Sequence, residues 1–340
     1  MTSARDAAPT PTPDGDARPI CVIGLGLIGG SLVRASVASG RTVWSATASA
    51  STASAARADG YDVAQSTDEA LARAAEADAL VVLATPLTAI TEVLRRVDAI
   101  APRCRLTDVV SVQVAMRDLV EEHAPTTRYV GGHPMAGTAE SGWAAGSATL
   151  FDGANWVVET DDGVDTGAGS VWADVAELAW ACGSRVVPAG SEEHDAAVAR
   201  ISHLPHILAA VLAAVAASDV THPGRGFGVD LGGLPLTLAA GSFADGTRVM
   251  DTRPELVVAM CEGNRSALLA AVDDALGRLG AARGSLASTG GLAATVNAGH
   301  TGRQHWQSAR TAPEVRIPTG LKPAELRDLG REGKVLTGWS

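Results

Sequence analysis

Lysine is almost missing from this 340-residue sequence: it occurs only at Lys322 and Lys334. With 27 Lys and Arg against 38 Asp and Glu, the formal net charge is −11. No basic excess is left to neutralise phosphates, which argues against general nucleic-acid affinity. The basic residues are scattered, so a membrane-docking face is not expected. Aromatics are only 4% of the chain within a hydrophobic share of 46%, much of it alanine, which suits helices packed at close range. Cys21, Cys104, Cys182 and Cys261 lie far apart and form no CxxC pair. That spacing is not a zinc site or a disulfide framework, and it fits a reduced, cytoplasmic setting. No apolar run of membrane-spanning length is apparent. Residues 1–18, "MTSARDAAPTPTPDGDAR", lack the apolar core of a signal peptide and are expected to form a disordered tail.

The strongest local pattern is "PICVIGLGLIGGSLVRASVASG". Ile20 to Ile23 reads as a buried strand, Gly24-Leu25-Gly26-Leu27-Ile28-Gly29 gives GxGxxG, and helical spacing follows. Strand, glycine turn and helix in that order form the dinucleotide-binding context. The helix N-terminus offers N–H groups and the positive end of a dipole to a pyrophosphate. Alone, GxGxxG is also met in turns that bind nothing. Here further apolar strands follow, "TVWSA", "ALVVLAT", "RLTDVV" and "RYVGG", separated by helical stretches. The fold expected is α/β: a Rossmann-type, doubly wound parallel sheet followed by an all-α dimerisation domain. Ligands bind at the carboxyl ends of such strands, where Ala84-Thr85-Pro86, Ser111 and His133 fall.

The expected division is a dinucleotide-binding domain over 19–188, a helical substrate and dimerisation domain over 189–307, and a loosely ordered tail over 308–340. The helical domain carries longer Ala/Leu/Val faces than one small bundle buries, which predicts a homodimer.

Within "RYVGGHPMAGTAESGW", His133 follows two glycines at a strand end. A turn histidine bonding its own backbone is the plain alternative; at a nucleotide-facing edge, a proton-handling role is the better reading. Ser111 closes "TDVVS" and offers a hydroxyl to His133 or a substrate, or caps the next helix. His203 and His206 in "SHLPH" are three apart and share a helix face. HxxH without a carboxylate partner is a weak metal signal, so no metal is expected and His206 is read as lining a substrate pocket. Pro205 between them starts or kinks the helix. Arg248, among small residues, can grip a carboxylate bidentately; Asp245 is a candidate to orient it, and Arg253 a weaker competitor for the task.

Together these pieces resemble the prephenate/arogenate dehydrogenase family of tyrosine biosynthesis. "VIGLGLIGGSL", "DVVSV", "GGHPMAGTAESGW", "EHD…SHLPH" and "GSFADGTRV" occur in that family's order, from about residue 19 to 310. The resemblance implies oxidative decarboxylation of prephenate or arogenate with hydride transfer to NAD(P)+. It also implies a small-molecule site between two domains. By likeness His133 is the catalytic histidine, Ser111 its hydroxyl partner, His206 a substrate-side histidine and Arg248 the carboxylate-binding arginine.

An NAD-binding chain of this architecture commonly has an acid about 20 residues past the glycines. Here "TVWSATASAST" supplies only small and hydroxylated residues, among them Thr47 and Ser49, with Arg57 farther on. Dual use of NAD and NADP is therefore expected, leaning to NADP. Glu140 is the candidate to attract the ammonium group that distinguishes arogenate from prephenate. Two rival readings are a β-hydroxyacid dehydrogenase and a non-catalytic nucleotide-sensing dimer. The first usually wants a lysine base in its helical domain, where this chain has none. The second has no need of His133, His206 and Arg248 acting together.

Overall fold

The computed structural model describes residues 17–138, 140–222 and 230–340. Most of the expected disordered tail lies outside these residues. Its last member does not behave as a tail: the Arg18 guanidinium pairs with Asp78 and, at 3.1 Å, with Asp174. The chain divides into two compact units, residues 1–191 with 312–340, and residues 192–311.

In the first unit, β1 (Ile20–Ile23), β2 (Val43–Ala46), β3 (Leu80–Leu83), β4 (Arg105–Asp108) and β5 (Arg128–Tyr129) form one parallel sheet. Its order is β2-β1-β3-β4-β5. Beyond β2, Val63 makes a single parallel bridge to Ser45. Counted as a vestigial strand, it completes the 3-2-1-4-5-6 order of dinucleotide-binding sheets. Side chains of β1 alternate between faces, as a strand's geometry requires. Ile20 and Val22 enter one core, Cys21 and Ile23 the other. Both faces are covered, the usual condition of a parallel sheet.

A second, mixed sheet runs β6-β7-β8-β10-β9. It consists of β6 (Gly132–Pro134), β7 (Asn155–Glu159), β8 (Arg185–Ala189), β9 (Glu314–Ile317) and β10 (Val335–Trp339). This corrects the loosely ordered tail expected over 308–340. Val335 and Leu336 are buried, β10 pairs with β8, and Trp339 meets Trp180 edge-on at 5.1 Å. The Arg327 guanidinium, on the helix Pro323–Arg331, donates to the Thr160 carbonyl at 2.7 Å. Strands of four and five residues carry little periodicity, and their partner lies about 150 residues upstream, so composition alone reads as loop.

Between residues 192 and 311 the described residues are helical or irregular, with no strand. A helical run spans Ser191–Ala216, interrupted by a π turn at Ala199–His203. Pro205, in the first turn of the following helix, has no N–H to continue an α ladder. The π turn directly ahead of it absorbs that fault. This run also corrects an expectation, since it is long and apolar enough by length and composition to span a membrane; only 22% of its apolar window is buried. Helices Pro254–Gly263, Arg265–Ala287 and Ala293–Ala309 follow.

Candidate functional site

The glycine loop is shaped by crowding on two sides and space on the third. A Cβ on Gly24, whose φ is +109°, would stand 2.5 Å from the Ala84 carbonyl oxygen; one on Gly29 would stand 2.0 Å from the Gly24 oxygen. A Cβ on Gly26 would meet nothing within 4 Å. The helix Leu27–Ala38 begins at Gly26 with no side-chain cap and no acid in its first turn. Its N–H groups and dipole therefore remain for an anionic ligand approaching over Gly26. Leu25 is core, with Leu27 and Ile28 half-buried, so their contribution to a ligand is mainly backbone. Across the loop stand Ala84, Thr85 and Pro86 at the end of β3, where Thr85 Oγ1 is buried without a hydrogen bond. These residues fit a dinucleotide.

At the end of β2 there is no carboxylate. Ser49 caps the helix Ala50–Ala58, taking the Thr52 N–H at 3.3 Å, and its Oγ lies 3.1 Å from that of Ser51. Thr47 Oγ1 accepts from the Ser49 N–H at 3.4 Å. Arg57 has two of its three guanidinium nitrogens committed within the fold. Its guanidinium is committed to the carbonyls of Val63 and Ala64 at 3.0 and 2.7 Å, holding the vestigial strand.

His133 lies in β6, opposite Val157 of β7, and is half-buried. Two glycines carry the chain from the first sheet into the second just ahead of it. The reason for the pair is lack of room. A Cβ on Gly131 would fall 1.9 Å from Gln113 Oε1 and 2.6 Å from Glu159 Oε2; one on Gly132 would fall 3.0 Å from the Asp108 carbonyl. Glu159 Oε2 accepts the Gly131 N–H at 3.1 Å, and Gln113 Nε2 donates to the Gly132 carbonyl at 3.3 Å. Asp108, at the end of β4, is fully buried and accepts from Tyr129 Oη and from the Val110 N–H, both at 2.7 Å. Burial without a neighbouring cation pushes Asp108 up to about 7, against its hydrogen bonds from Tyr129 and Val110. Burial and the adjacent Asp161 push Glu159 up to about 8. Burial also works on Asp161, but the Ser191 hydroxyl, Glu159 and Arg117 hold it below the usual carboxylate range. None of these supporting groups was singled out from the sequence. The only signal was an acid closing each apolar strand, in "RLTD" and "NWVVE".

Ser111 is half-buried two residues ahead of the helix Gln113–His123. Val112, not Ser111, is that helix's N-cap, which corrects the capping role expected of Ser111. Beyond His133 the segment returns to the nucleotide-binding helices through Trp143. Its Nε1 donates to Asp59 at 2.7 Å, Arg34 stacks 3.5 Å from its ring centroid, and Tyr61 meets it edge-on. Glu140, three residues before that anchor, is exposed and has no ion pair among the described residues.

In the helical unit, His206 Nδ1 lies 2.9 Å from the Ser202 carbonyl. A carbonyl only accepts, so Nδ1 carries a proton towards it, and Nε2 has no hydrogen bond among the described residues. His203 is core instead: it is fully buried, bonds Asn264 at 3.2 Å, and burial depresses it to about 4. No grouping of His, Cys, Asp and Glu able to hold a metal occurs among the described residues. Arg248 opens a 3₁₀ turn and is exposed. Among the described residues Asp245 makes no hydrogen bond or ion pair to it, so the orienting role expected of Asp245 has no contact behind it, and the guanidinium has no other partner there. Arg253 is paired with Glu255 at 3.9 Å.

Comparison with known proteins agrees with this arrangement. Residues 33–187 match the family model "Prephenate dehydrogenase, nucleotide-binding domain", and residues 190–289 match "Prephenate dehydrogenase, dimerization domain". The chain is 31% identical over 277 residues to the cyclohexadienyl dehydrogenase of Zymomonas mobilis, covering 80% of this chain and 89% of that protein. It is 30% identical over 242 residues to the prephenate dehydrogenase of Bacillus subtilis, covering 70% of this chain but 62% of that longer protein. The crystal structure of a Corynebacterium glutamicum protein, inferred to be a prephenate dehydrogenase, superposes with a TM-score of 0.86. It is 41% identical, and the match covers 95% of this chain and 99% of that one. A nucleotide-binding sheet with an open glycine cradle, a histidine on the first strand of the second sheet and a matched dimerisation segment lead to one conclusion: this chain belongs to the prephenate/arogenate dehydrogenase family of NAD(P)-dependent oxidoreductases.

Proposed function

We propose that His133 is the general base of this dehydrogenase, and that Ser111, His206 and Arg248 bind its cyclohexadienol substrate. The observation that carries this reading is a line of contacts within one unit. Gly24 crowds Ala84 after β3, β3 pairs with β4, and Asp108 at the end of β4 backs onto Gly132. His133 is the next residue. A neutral imidazole nitrogen of His133 takes the proton of the ring C4 hydroxyl. When bound, the nicotinamide supplies the acceptor for the hydride from C4. Arg248, whose guanidinium has no hydrogen bond or ion pair among the described residues, holds a substrate carboxylate, and His206 accepts a hydrogen bond from a substrate hydroxyl at Nε2. The dienone formed at C4 draws electrons from the C1–carboxylate bond, carbon dioxide departs, and the C4 oxygen takes back the proton held by His133 as the ring becomes phenolic. The ring is the electron sink, so the protein's tasks are orientation and one proton transfer.

The lack of a carboxylate at the end of β2, with Thr47, Ser49 and Ser51 in its place, supports dual coenzyme use leaning to NADP. The exposed Glu140, with no ion pair among the described residues, supports arogenate over prephenate. Large apolar side chains left exposed on the helical unit, among them Leu269, Leu276, Leu279 and Leu286, support a homodimer rather than a membrane as their cover. A cytoplasmic setting agrees with four buried, unpaired cysteines.

The test is to incubate the protein with NAD or NADP and each cyclohexadienol while following the absorbance of reduced nicotinamide. Turnover is expected with at least one pair, fastest with NADP and arogenate. His133→Asn is expected to lower kcat by about two to four decades while coenzyme affinity stays unchanged. Parental turnover in that variant removes His133 from the role.

A further inference from the structure

We propose that Glu159 and Asp108 are positioning residues for His133, their buried carboxyl groups holding the Gly131–Gly132 crossover that delivers the histidine. The inference rests on the reading of His133 as the base.

Ladder bonding accounts for only part of this crossover. Gly131 accepts the Glu159 backbone N–H at 2.9 Å, but its own N–H goes to the Glu159 side chain at 3.1 Å. Gly132 turns its carbonyl to Gln113 at 3.3 Å and its N–H towards the Asp108 carboxylate. Gln113 is itself held by the Val110 carbonyl at 2.9 Å and lies 3.5 Å from Asp108 Oδ1. Both peptide units ahead of His133 are thus set by side chains from β4, β7 and the helix after β4. No Cβ interferes, because both positions are glycine.

The groups facing the pair explain why its protonation matters. Glu159 faces Arg117 at 3.6 Å, Asp161 beyond the end of β7, and Tyr129 on β5; Asp108 faces Tyr129. Arg117 is drawn chiefly to Asp161 and Ser191. An ionised Glu159 would therefore stand beside the Asp161 anion with its cation shared. One side of Glu159 borders a cleft of about 660 Å³, also lined by Arg117, Tyr129 and Asp161, which gives the carboxyl access to bulk protons. Protonated Glu159 accepts the Gly131 N–H and donates to Asp161; ionisation near pH 8 keeps the first bond but replaces the second with repulsion between two carboxylates, which displaces the side chain and the crossover it holds.

The experiment compares Glu159→Gln, Glu159→Ala and His133→Asn by steady-state kinetics from pH 6 to about 10, with coenzyme binding measured by tryptophan fluorescence as the control for folding. Glu159→Ala should lose roughly ten- to a hundredfold in kcat, the scale of a misplaced catalytic group, with coenzyme affinity unchanged. Glu159→Gln keeps the acceptor oxygen and cannot ionise. It should restore kcat at pH 7 and move the alkaline fall in kcat upward from about pH 8. Should Glu159→Ala fail to fold, the Gln profile decides alone. An alkaline limb identical to the parent's, or parental kcat in folded Glu159→Ala, overturns the proposal while a slow His133→Asn leaves the base assignment standing. Parental turnover in His133→Asn removes the base itself.

Discussion

Adding one methyl group at Gly26 separates binding from folding. The new Cβ would meet no protein atom within 4 Å, and the backbone at φ −75° suits alanine. Alanine in place of glycine at a helix N-cap costs roughly 0.5–1 kcal/mol. Stiffening the unfolded chain returns about 0.4–1 kcal/mol. The two nearly cancel, so Tm should move by less than about 2 °C. The ligand pays instead. A pyrophosphate resting on these N–H groups would be pushed back by the methyl and lose one or two charge-assisted hydrogen bonds. Each is worth about 1.5–3 kcal/mol, and about 1.4 kcal/mol is tenfold in affinity. Gly26→Ala should therefore raise Kd for NAD and NADP together by roughly ten- to a hundredfold or more. Isothermal titration gives Kd and differential scanning fluorimetry gives Tm. Gly29→Ala is the contrasting control: its Cβ would lie 2.0 Å from the Gly24 oxygen. It should destabilise by about 1–3 kcal/mol or more. Parental coenzyme affinity in Gly26→Ala would show that the open space is not the pyrophosphate seat. A fall of many degrees in its Tm would show that the space is not open.

Other consequences are equally open to measurement. Arg248→Ala should raise the substrate KM at least tenfold with coenzyme KM unchanged, because a charge-assisted bond to the substrate carboxylate is worth about 1.5–3 kcal/mol; an unchanged substrate KM counts against it. Asp108 and Glu159 are raised in the fold, so their stabilising contribution is complete below pH 4 and is lost as pH climbs through about 7 and 8. His203 runs the other way, losing its contribution as pH falls from about 6.5 towards 4. Between pH 6.5 and 8.5 the carboxyls act alone of these three. Urea midpoints should therefore fall over that range, and fall less in the Asp108→Asn, Glu159→Gln double variant. Leu269, Leu276, Leu279 and Leu286 recur at sevens and threes along the helix Arg265–Ala287 and are 57–69% exposed. That spacing is a helix-packing seam. Leu276→Glu with Leu279→Glu should give monomers by light scattering at micromolar concentration; a persisting dimer would mean that another face mediates association.

Much of the nucleotide-binding half was legible because its signals are local. A glycine turn between an apolar strand and a helix is complete within ten residues, and its meaning depends on neighbours along the chain. His133 and Ser111 stood out as candidates for the same reason, as polar residues closing apolar strands. Arg57 and Ser111 show the limit. Their side chains were judged by position, whereas the partners that commit Arg57, and the residue that displaces Ser111 as cap, are fixed by backbone detail.

The order of residues alone determined the glycine cradle, the alternation that buries both faces of the first sheet, and the chemistry carried by each candidate side chain. Only tertiary structure decided that residues 314–339 complete a second sheet, that His203 is core while His206 keeps an open nitrogen, and that Asp108 and Glu159 flank the path to His133. The physical reason is range. Turns and helix starts are set by torsions within a few residues, while burial, carboxyl protonation and strand pairing depend on groups brought together from far apart in the chain.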